Sequence, residues 1–324
     1  MKYLTIALLL IMSGIFQITS YADNELTLSK IDYLEGFTTE MVTEDIFVIQ
    51  GAIEDPNPDN GGFINNPGFV IANSGVIVID PGGSKAIGEM LLKRIRHITN
   101  LPIIAIFNTH EHGDHWLANE AILSVYPDIP IYAHGKMIDS IHQGTGQYWL
   151  TLMQQLTNST ALQDKVVIPT HAVNNADEIT IDNLTFRVHY YGSSHTDNDI
   201  MVEIVELETI FLGDNVLNHR LPRLNDGNIV GNIEAINRII DTNIKYFIPG
   251  HGPSGIENVP LNYLNYLTQL HTLVEQYYNE DLSDYEMKAP IQAAMQKYAH
   301  WYGFDTELGK NISVVFLQVE QDDF

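Results

Sequence analysis

The apolar run Ile103 to Phe107 leads without a break into Asn108-Thr109-His110-Glu111-His112-Gly113-Asp114-His115. No other stretch constrains the chain as strongly. Three imidazoles and two carboxylates crowd one short segment, and a strand that ends in such a set has to deliver it to a shared point. The donors are nitrogen and oxygen only, because the chain has no cysteine. Imidazole with carboxylate suits zinc and neighbouring first-row metals. Four donors so close in sequence cannot all face one ion at acceptable angles, so two adjacent ions are expected. His110 and His112, two apart, point one way; Asp114 and His115 point to a second position. Each ion then needs ligands from farther along.

Four other segments are of similar character. Asp80 ends the run Val76-Ile77-Val78-Ile79, His195 lies in Gly192-Ser193-Ser194-His195-Thr196, Asp214 follows Leu212-Gly213, and His251 lies in Pro249-Gly250-His251-Gly252. Taken in order, these five motifs resemble the metallo-β-lactamase-fold superfamily of metal-dependent hydrolases, over about Ile46 to Pro253. The resemblance implies an α/β fold, a four-layer αββα sandwich, here with a C-terminal helical extension. It implies that His110, His112 and His195 hold one ion, that Asp114, His115 and His251 hold the other, and that Asp214 bridges them. It also implies two zinc ions, with iron or manganese as possible substitutes. On the same resemblance, a water acidified between the ions would attack a carbonyl, Asp114 would act as the catalytic carboxylate, and Asp80 would support the donor loop by hydrogen bonding without being a ligand.

Departures from particular branches narrow the expectation. Class B1 β-lactamases carry a cysteine where Asp214 stands and a lysine shortly after it, whereas this chain has Leu217 there. The bridging aspartate is similar to glyoxalase II, but no basic glutathione-binding segment is evident. Flavodiiron proteins carry Glu where His112 stands. The expected reaction is therefore hydrolysis of a β-lactam, lactone, ester or thioester carbonyl. The alternatives are a mononuclear iron dioxygenase of the persulfide dioxygenase kind, and a non-catalytic accessory factor of a periplasmic quinoprotein oxidase.

The start of the chain is read as an export signal. Lys2, the apolar run Tyr3 to Phe16 and the small residues of Ser20-Tyr21-Ala22 describe a signal peptide over 1–22, cut before Asp23. The product is expected in the periplasm or secreted, without a stable membrane anchor. Residues 23–255 form the catalytic domain and 256–324 a helical extension packed on it. With 16 basic against 41 acidic side chains the net charge is −25, which repels phosphate and excludes nucleic acid as a partner. A small-molecule substrate is expected instead; oligomeric state is not legible.

Periodicity supplies the rest. Ile46 to Gln50, Phe69 to Ala72, Val76 to Asp80 and Ile129 to Ala133 read as strands, as does the pair Ile179 to Tyr191. Met201 to Glu206 and Thr209 to Leu212 read as a hairpin, and Tyr246 to Ile248 as a short strand. Helices are expected over Lys85 to Thr99, Leu117 to Tyr126, Asn232 to Asp241, the segment with Leu261 to Val274, and Met287 to Tyr302. Ile312 to Val319 is open between strand and helix. The Pro/Gly-rich stretch Glu54 to Gly62 is a loop, either overhanging the metal site or simply joining two strands. Tyr148 and Trp149 are candidates for an apolar substrate wall, unless their helix merely packs on the core; Arg220 is a candidate anion contact.

Overall fold

The computed structural model describes residues 36–158, 165–240 and 242–323. The signal-peptide reading and the end of the segment Ile141 to Leu162 lie outside them. Two sheets are stacked face to face. The first has seven strands in the order β1-β2-β3-β4-β5-β6-β7: Thr39–Thr43, Ile46–Ile49, Gly68–Ile71, Val76–Ile79, Ile103–Phe107, Ile131–His134 and His171–Val173. The second has five, ordered β12-β11-β10-β9-β8: Tyr246–Ile248, Thr209–Phe211, Met201–Ile204, Leu184–His189 and Glu178–Ile181.

Alternation along each strand explains the layers, since successive side chains leave opposite faces of a sheet. Phe186, Val188, Val202, Ile204, Phe211 and Ile248 meet Ile77, Ile79, Ala105 and Phe107 between the sheets. Their neighbours Met201, Ile210 and Phe247 point outward into a second core. That core is closed by helix α6 (Ile229–Ile240) and by three C-terminal helices, α7 (Asn258–Asn279), α8 (Asp284–Ala294) and α9 (Phe304–Asp322). Tyr263, Leu267, Ile291 and Ile312 are buried there, so the C-terminal helices share apolar surface with the sheet.

On the far side of the first sheet, α1 (Lys85–Ile98) begins at Ser84, whose hydroxyl accepts from the Ile87 N–H. It packs against α3 (Asn119–Leu123). A single helical turn, α2 (Gly113–Trp116), precedes α3, so the helix expected over Leu117 to Tyr126 is shorter, and the donor motif itself has become helical. Helices α4 (Gly135–His142) and α5 (Thr145–Thr157) cover α2 through Trp116, Met137 and Leu150.

Other expectations shift at their boundaries. The expected helix Met287 to Tyr302 starts earlier, because Ser283 and Glu286 form a capping box, and it ends at Ala294 in spite of Pro290. The ambiguous Ile312 to Val319 is helical within α9, where Ile312 and Val315 reach the core at helical spacing. Strand propensity was overruled by that packing.

A polar group sits on the outer face of the second sheet. His189 Nε2 donates to Glu203 at 2.7 Å, and Arg187 donates to the same carboxylate. The His189 hydrogen bond is the main influence holding the Glu203 carboxyl below its ordinary 4.5, against the opposing effect of burial. A depressed carboxyl contributes stability above its unfolded value and loses it as pH falls through the folded one. The thermal midpoint is therefore expected to drop below about pH 4.5, and a Glu203→Gln variant should show a flatter acid limb. Identical acid limbs would assign the loss to other groups.

Candidate metal centre

Every candidate donor lies just beyond a strand or on the turn that follows one, at one end of the sandwich. His110 and His112 leave β5, while Asp114 and His115 occupy α2. His195 lies in the loop between β9 and β10, Asp214 in a tight turn after β11 and His251 after β12. The structure brings them together as two groups. His110, His112, His195 and Asp214 form one, and Asp114, His115 and His251 the other. The ligand-type atoms within each group lie within 4.8 Å of one another.

Asp214 stands between the groups. One of its oxygens is 3.1 Å from His115 Nε2; the other is 3.2 Å from His251 Nε2 and 3.5 Å from His195 Nε2. Asp114 Oδ2 is 3.3 Å from His251 Nε2 and 3.5 Å from His115 Nε2. The backbone has to come close for this. At Gly250, an added Cβ would lie 2.0 Å from Asp214 Oδ1, and Gly213 holds φ at 53° against Thr109. Only glycine fits both demands.

The opposite edge of four of the five imidazoles is held. His115 Nδ1 donates to Asp80 at 2.8 Å, and Asp80 also accepts from the Thr109 N–H at 2.8 Å and the Thr109 hydroxyl at 2.7 Å. His110 Nδ1 meets the same hydroxyl at 3.0 Å, and His251 Nδ1 donates to the Ile64 carbonyl at 2.7 Å. These bonds assign the tautomers and leave His110, His115 and His251 with Nε2 facing inward. Asp80 thus lies behind the donor loop, bonded to Thr109 and His115, at a backbone φ of 49°.

Two supporting residues had not been picked out in the sequence. Asp226 lies 3.1 Å from His112 Nε2, which turns His112 Nδ1 inward to within 3.0 Å of His195 Nε2. Asp199 accepts from the Thr196 N–H and the Ser194 hydroxyl, and so shapes the turn that presents His195. Burial pushes its carboxyl up to about 6. A signal existed for neither, beyond an acid in a Gly/Asn-rich turn.

The donors fit metal ions on the structure's own terms. His110 Nε2, His115 Nε2 and Asp214 Oδ1 are buried without a hydrogen-bond partner, a costly state that a bound cation relieves. His115 Nε2 and Asp214 Oδ1 are close, yet not aligned as donor and acceptor. Burial, with the charge of His115, drives His110 well below its ordinary value, and burial takes His195 to about 3. His115 and His251 go the other way: Asp214 heads the groups that raise them, against burial. Burial opposes ionisation of Asp114 and Asp214, but their histidine neighbours hold both carboxyls below the usual range.

A cavity of about 630 Å³ opens over the donors. Tyr148, Trp149, Leu152 and Leu156 of α5 line one side; Asp55, Pro56 and Ile64 of the β2–β3 loop, with Arg220 and Arg223, line another. The loop Glu54 to Gly62 thus does both things considered for it, joining two paired strands and walling the cavity. Arg220 is buried and donates to the Glu54 carbonyl and to Asp55, so it also pins this loop. The Tyr302 hydroxyl meets the Asp55 N–H at 3.1 Å from the C-terminal side. His134 stands outside the cavity and stacks on Tyr190.

The family model of the metallo-beta-lactamase superfamily matches residues 60–251, which holds the whole donor array. The chain belongs to the metallo-beta-lactamase superfamily. Among solved structures, it is similar to a metallo-beta-lactamase from Pontibacter korlensis, with a TM-score of 0.57 at 17% identity over 72% of this chain and 99% of that one. It is also similar to the DIM-1 metallo-beta-lactamase, with a TM-score of 0.55 at 18% identity over 72% and 96% of the two chains. These likenesses show the metallo-beta-lactamase fold. Among curated proteins it is similar to a hydroxyacylglutathione hydrolase of Francisella tularensis subsp. novicida, 23% identical over 57% of this chain and 59% of that protein. A hydroxyacylglutathione hydrolase of Gloeobacter violaceus is 39% identical over 17% of this chain and 20% of its own. The match to these relatives thus spans from one fifth to under two thirds of their length.

Proposed function

We propose that this chain is a dinuclear metal-dependent hydrolase that cleaves a β-lactam, lactone, ester or thioester carbonyl, with zinc as its resident metal. The observation that carries the proposal is the convergence of buried, partnerless imidazole nitrogens with the Asp214 carboxylate. His110, His112 and His195 would hold one ion, Asp114, His115 and His251 the other, and Asp214 would touch both. The nitrogen and oxygen set suits zinc; iron and manganese take the same donors. A pair of divalent ions would supply a water whose pKa is lowered toward about 7 and positive charge for the oxyanion of a tetrahedral carbonyl.

The chain's own groups do the remainder. Asp114 lines the cavity beside the donors and is placed to orient a water and carry its proton to the leaving group. Asp80, Asp226 and the Ile64 carbonyl hold three imidazoles in one tautomer each, so no reorganisation is needed during turnover. Trp149, its ring 4.7 Å from that of His112, shields one flank from solvent.

Removing a supporting acid should show first in affinity. Asp226→Ala is expected to lower metal affinity by about 10- to 100-fold, read by competition with a chelating dye. Unchanged affinity would mean that His112 is oriented without Asp226. The proposal itself is tested by metal analysis of the purified mature protein, followed by turnover of β-lactam, lactone, ester and thioester substrates. Two zinc per chain with hydrolysis supports it; one iron with oxygen uptake and no hydrolysis overturns it.

The proposal extends to location. The apolar start and the small residues before Asp23 support export to the periplasm or beyond, acting there on a small molecule. Among the described residues no helix is long and apolar enough to cross a membrane. Mass spectrometry of the protein from a periplasmic fraction, beginning at Asp23, is the expected result.

A further inference from the structure

The apolar arc of helix α5 is broader than the part that holds the helix in place. Leu150 turns into the core with Trp116 and Met137. Leu152 and Leu156 turn to the cavity instead, in line with Trp149 at i, i+3 and i+7; Trp149 also packs against that core, and Tyr148 stands at the cavity's rim. This part of the arc is open, since Leu156 is 38% and Tyr148 60% exposed. It begins at the donors, where the Trp149 and His112 rings are 4.7 Å apart. At 1.5 Å per helical residue it runs outward for roughly 10 Å.

The polar side of the cavity is already balanced. Arg220 and Arg223 both pair with Asp55, and Lys310 pairs with Glu307. Among the described lining residues, the two arginines thus share one carboxylate and the lysine has its own, and Glu111 and Asp226 add further negative charge. A carboxylate-rich substrate would have to displace these pairs. An apolar one would only have to dry the α5 face, at about 25 cal/mol for each Å² removed from water.

We infer that the site, on the hydrolase reading above, takes a substrate whose acyl side is an unbranched apolar chain, about six to ten carbons long from the length of the strip. The chain lies along Trp149, Leu152 and Leu156 with its carbonyl at the donors. In hydrolysis the water oxygen bonds to the carbonyl carbon and the bond to the leaving oxygen breaks. The leaving oxygen takes the proton, and a fatty acid and an alcohol separate.

The test uses the metal-loaded full chain and p-nitrophenyl esters from acetyl to dodecanoyl. The expected kcat/KM rises about twofold per methylene up to roughly eight carbons, half-burial of each CH₂ giving less than its full transfer energy. Leu156→Asp, at an exposed position that tolerates a charge, and Leu152→Asp should each bring the octanoyl-to-acetyl ratio toward one. A flat or falling profile in the parent protein overturns the inference. A readout without turnover accompanies it: octanoate should change tryptophan fluorescence saturably, acetate should not, and Leu156→Asp should weaken the octanoate response at least tenfold. If octanoate binds in this way but no ester is cleaved, the hydrolase reading fails and the acyl site stands. If esters are cleaved without chain-length preference and octanoate does not bind, the acyl site fails alone.

Discussion

Asp214→Ala is expected to abolish hydrolysis and to lower bound metal from two ions per chain to one or fewer. This carboxylate touches both donor groups, with oxygens 3.1 Å from His115, 3.2 Å from His251 and 3.5 Å from His195. Asp114 reaches His115 and His251 but pairs with no histidine of the other group, and Gly213 and Gly250 flank Asp214 with bare backbone, where a Cβ at Gly250 would already collide with it. Loss of the carboxylate also leaves His115 and His251 facing each other across a buried space without the group that most strongly raises them. Loss of a transition-state contact lowers kcat and kcat/KM together; on this reading the fall is about 10³-fold or more, above the effect of removing a single oxyanion donor. Metal analysis and steady-state kinetics on the same sample check it. Two ions retained with a modest rise in KM alone would place Asp214 outside the metal centre.

The second large effect falls on Asp80, which lines no part of the cavity. Asp80→Ala strips the partner from the Thr109 N–H, the Thr109 hydroxyl and His115 Nδ1 at once, all of them buried. Breaking a buried charged pair by removing one partner costs about 3–5 kcal/mol. The variant should therefore unfold at distinctly lower denaturant concentration even without metal, and should also bind metal about 10- to 100-fold more weakly. Asp80→Asn, which keeps one acceptor oxygen, should recover part of the stability but less of the affinity, since an amide orients an imidazole without stabilising its charge. A parent-like denaturation midpoint in Asp80→Ala would show that water replaces the carboxylate, and would reduce the residue to a loop position.

The chain's local patterns were legible because their causes are local. Strand periodicity at Val76 to Asp80 and Ile103 to Phe107, the strand pair over Ile179 to Tyr191, and the donor motif that follows β5 are all written in neighbouring residues. The family's five motifs then gave an order to donors that lie far apart in sequence. Where the reading slipped, a contact from elsewhere intervened. Gly113 to Trp116 became helical under α5, and Ile312 to Val319 became helical because an apolar stripe at that spacing meets Leu267 and its neighbours. Propensity is a weak prior against such packing.

By itself, then, the sequence determined the metal chemistry open to this protein: a cysteine-free set of imidazoles and carboxylates, each placed just past a strand, with glycines where the backbone must crowd them. Tertiary structure alone decided how the set is aimed and what surrounds it. Asp226 meets His112 across 114 positions of chain and Tyr302 meets Asp55 across 247. Which face of α5 is left for a ligand depends on what fills the other. No local pattern encodes such pairings, because they follow from how two sheets and their covering helices bury apolar surface together, a global minimum that individual side chains join only after the layers have met.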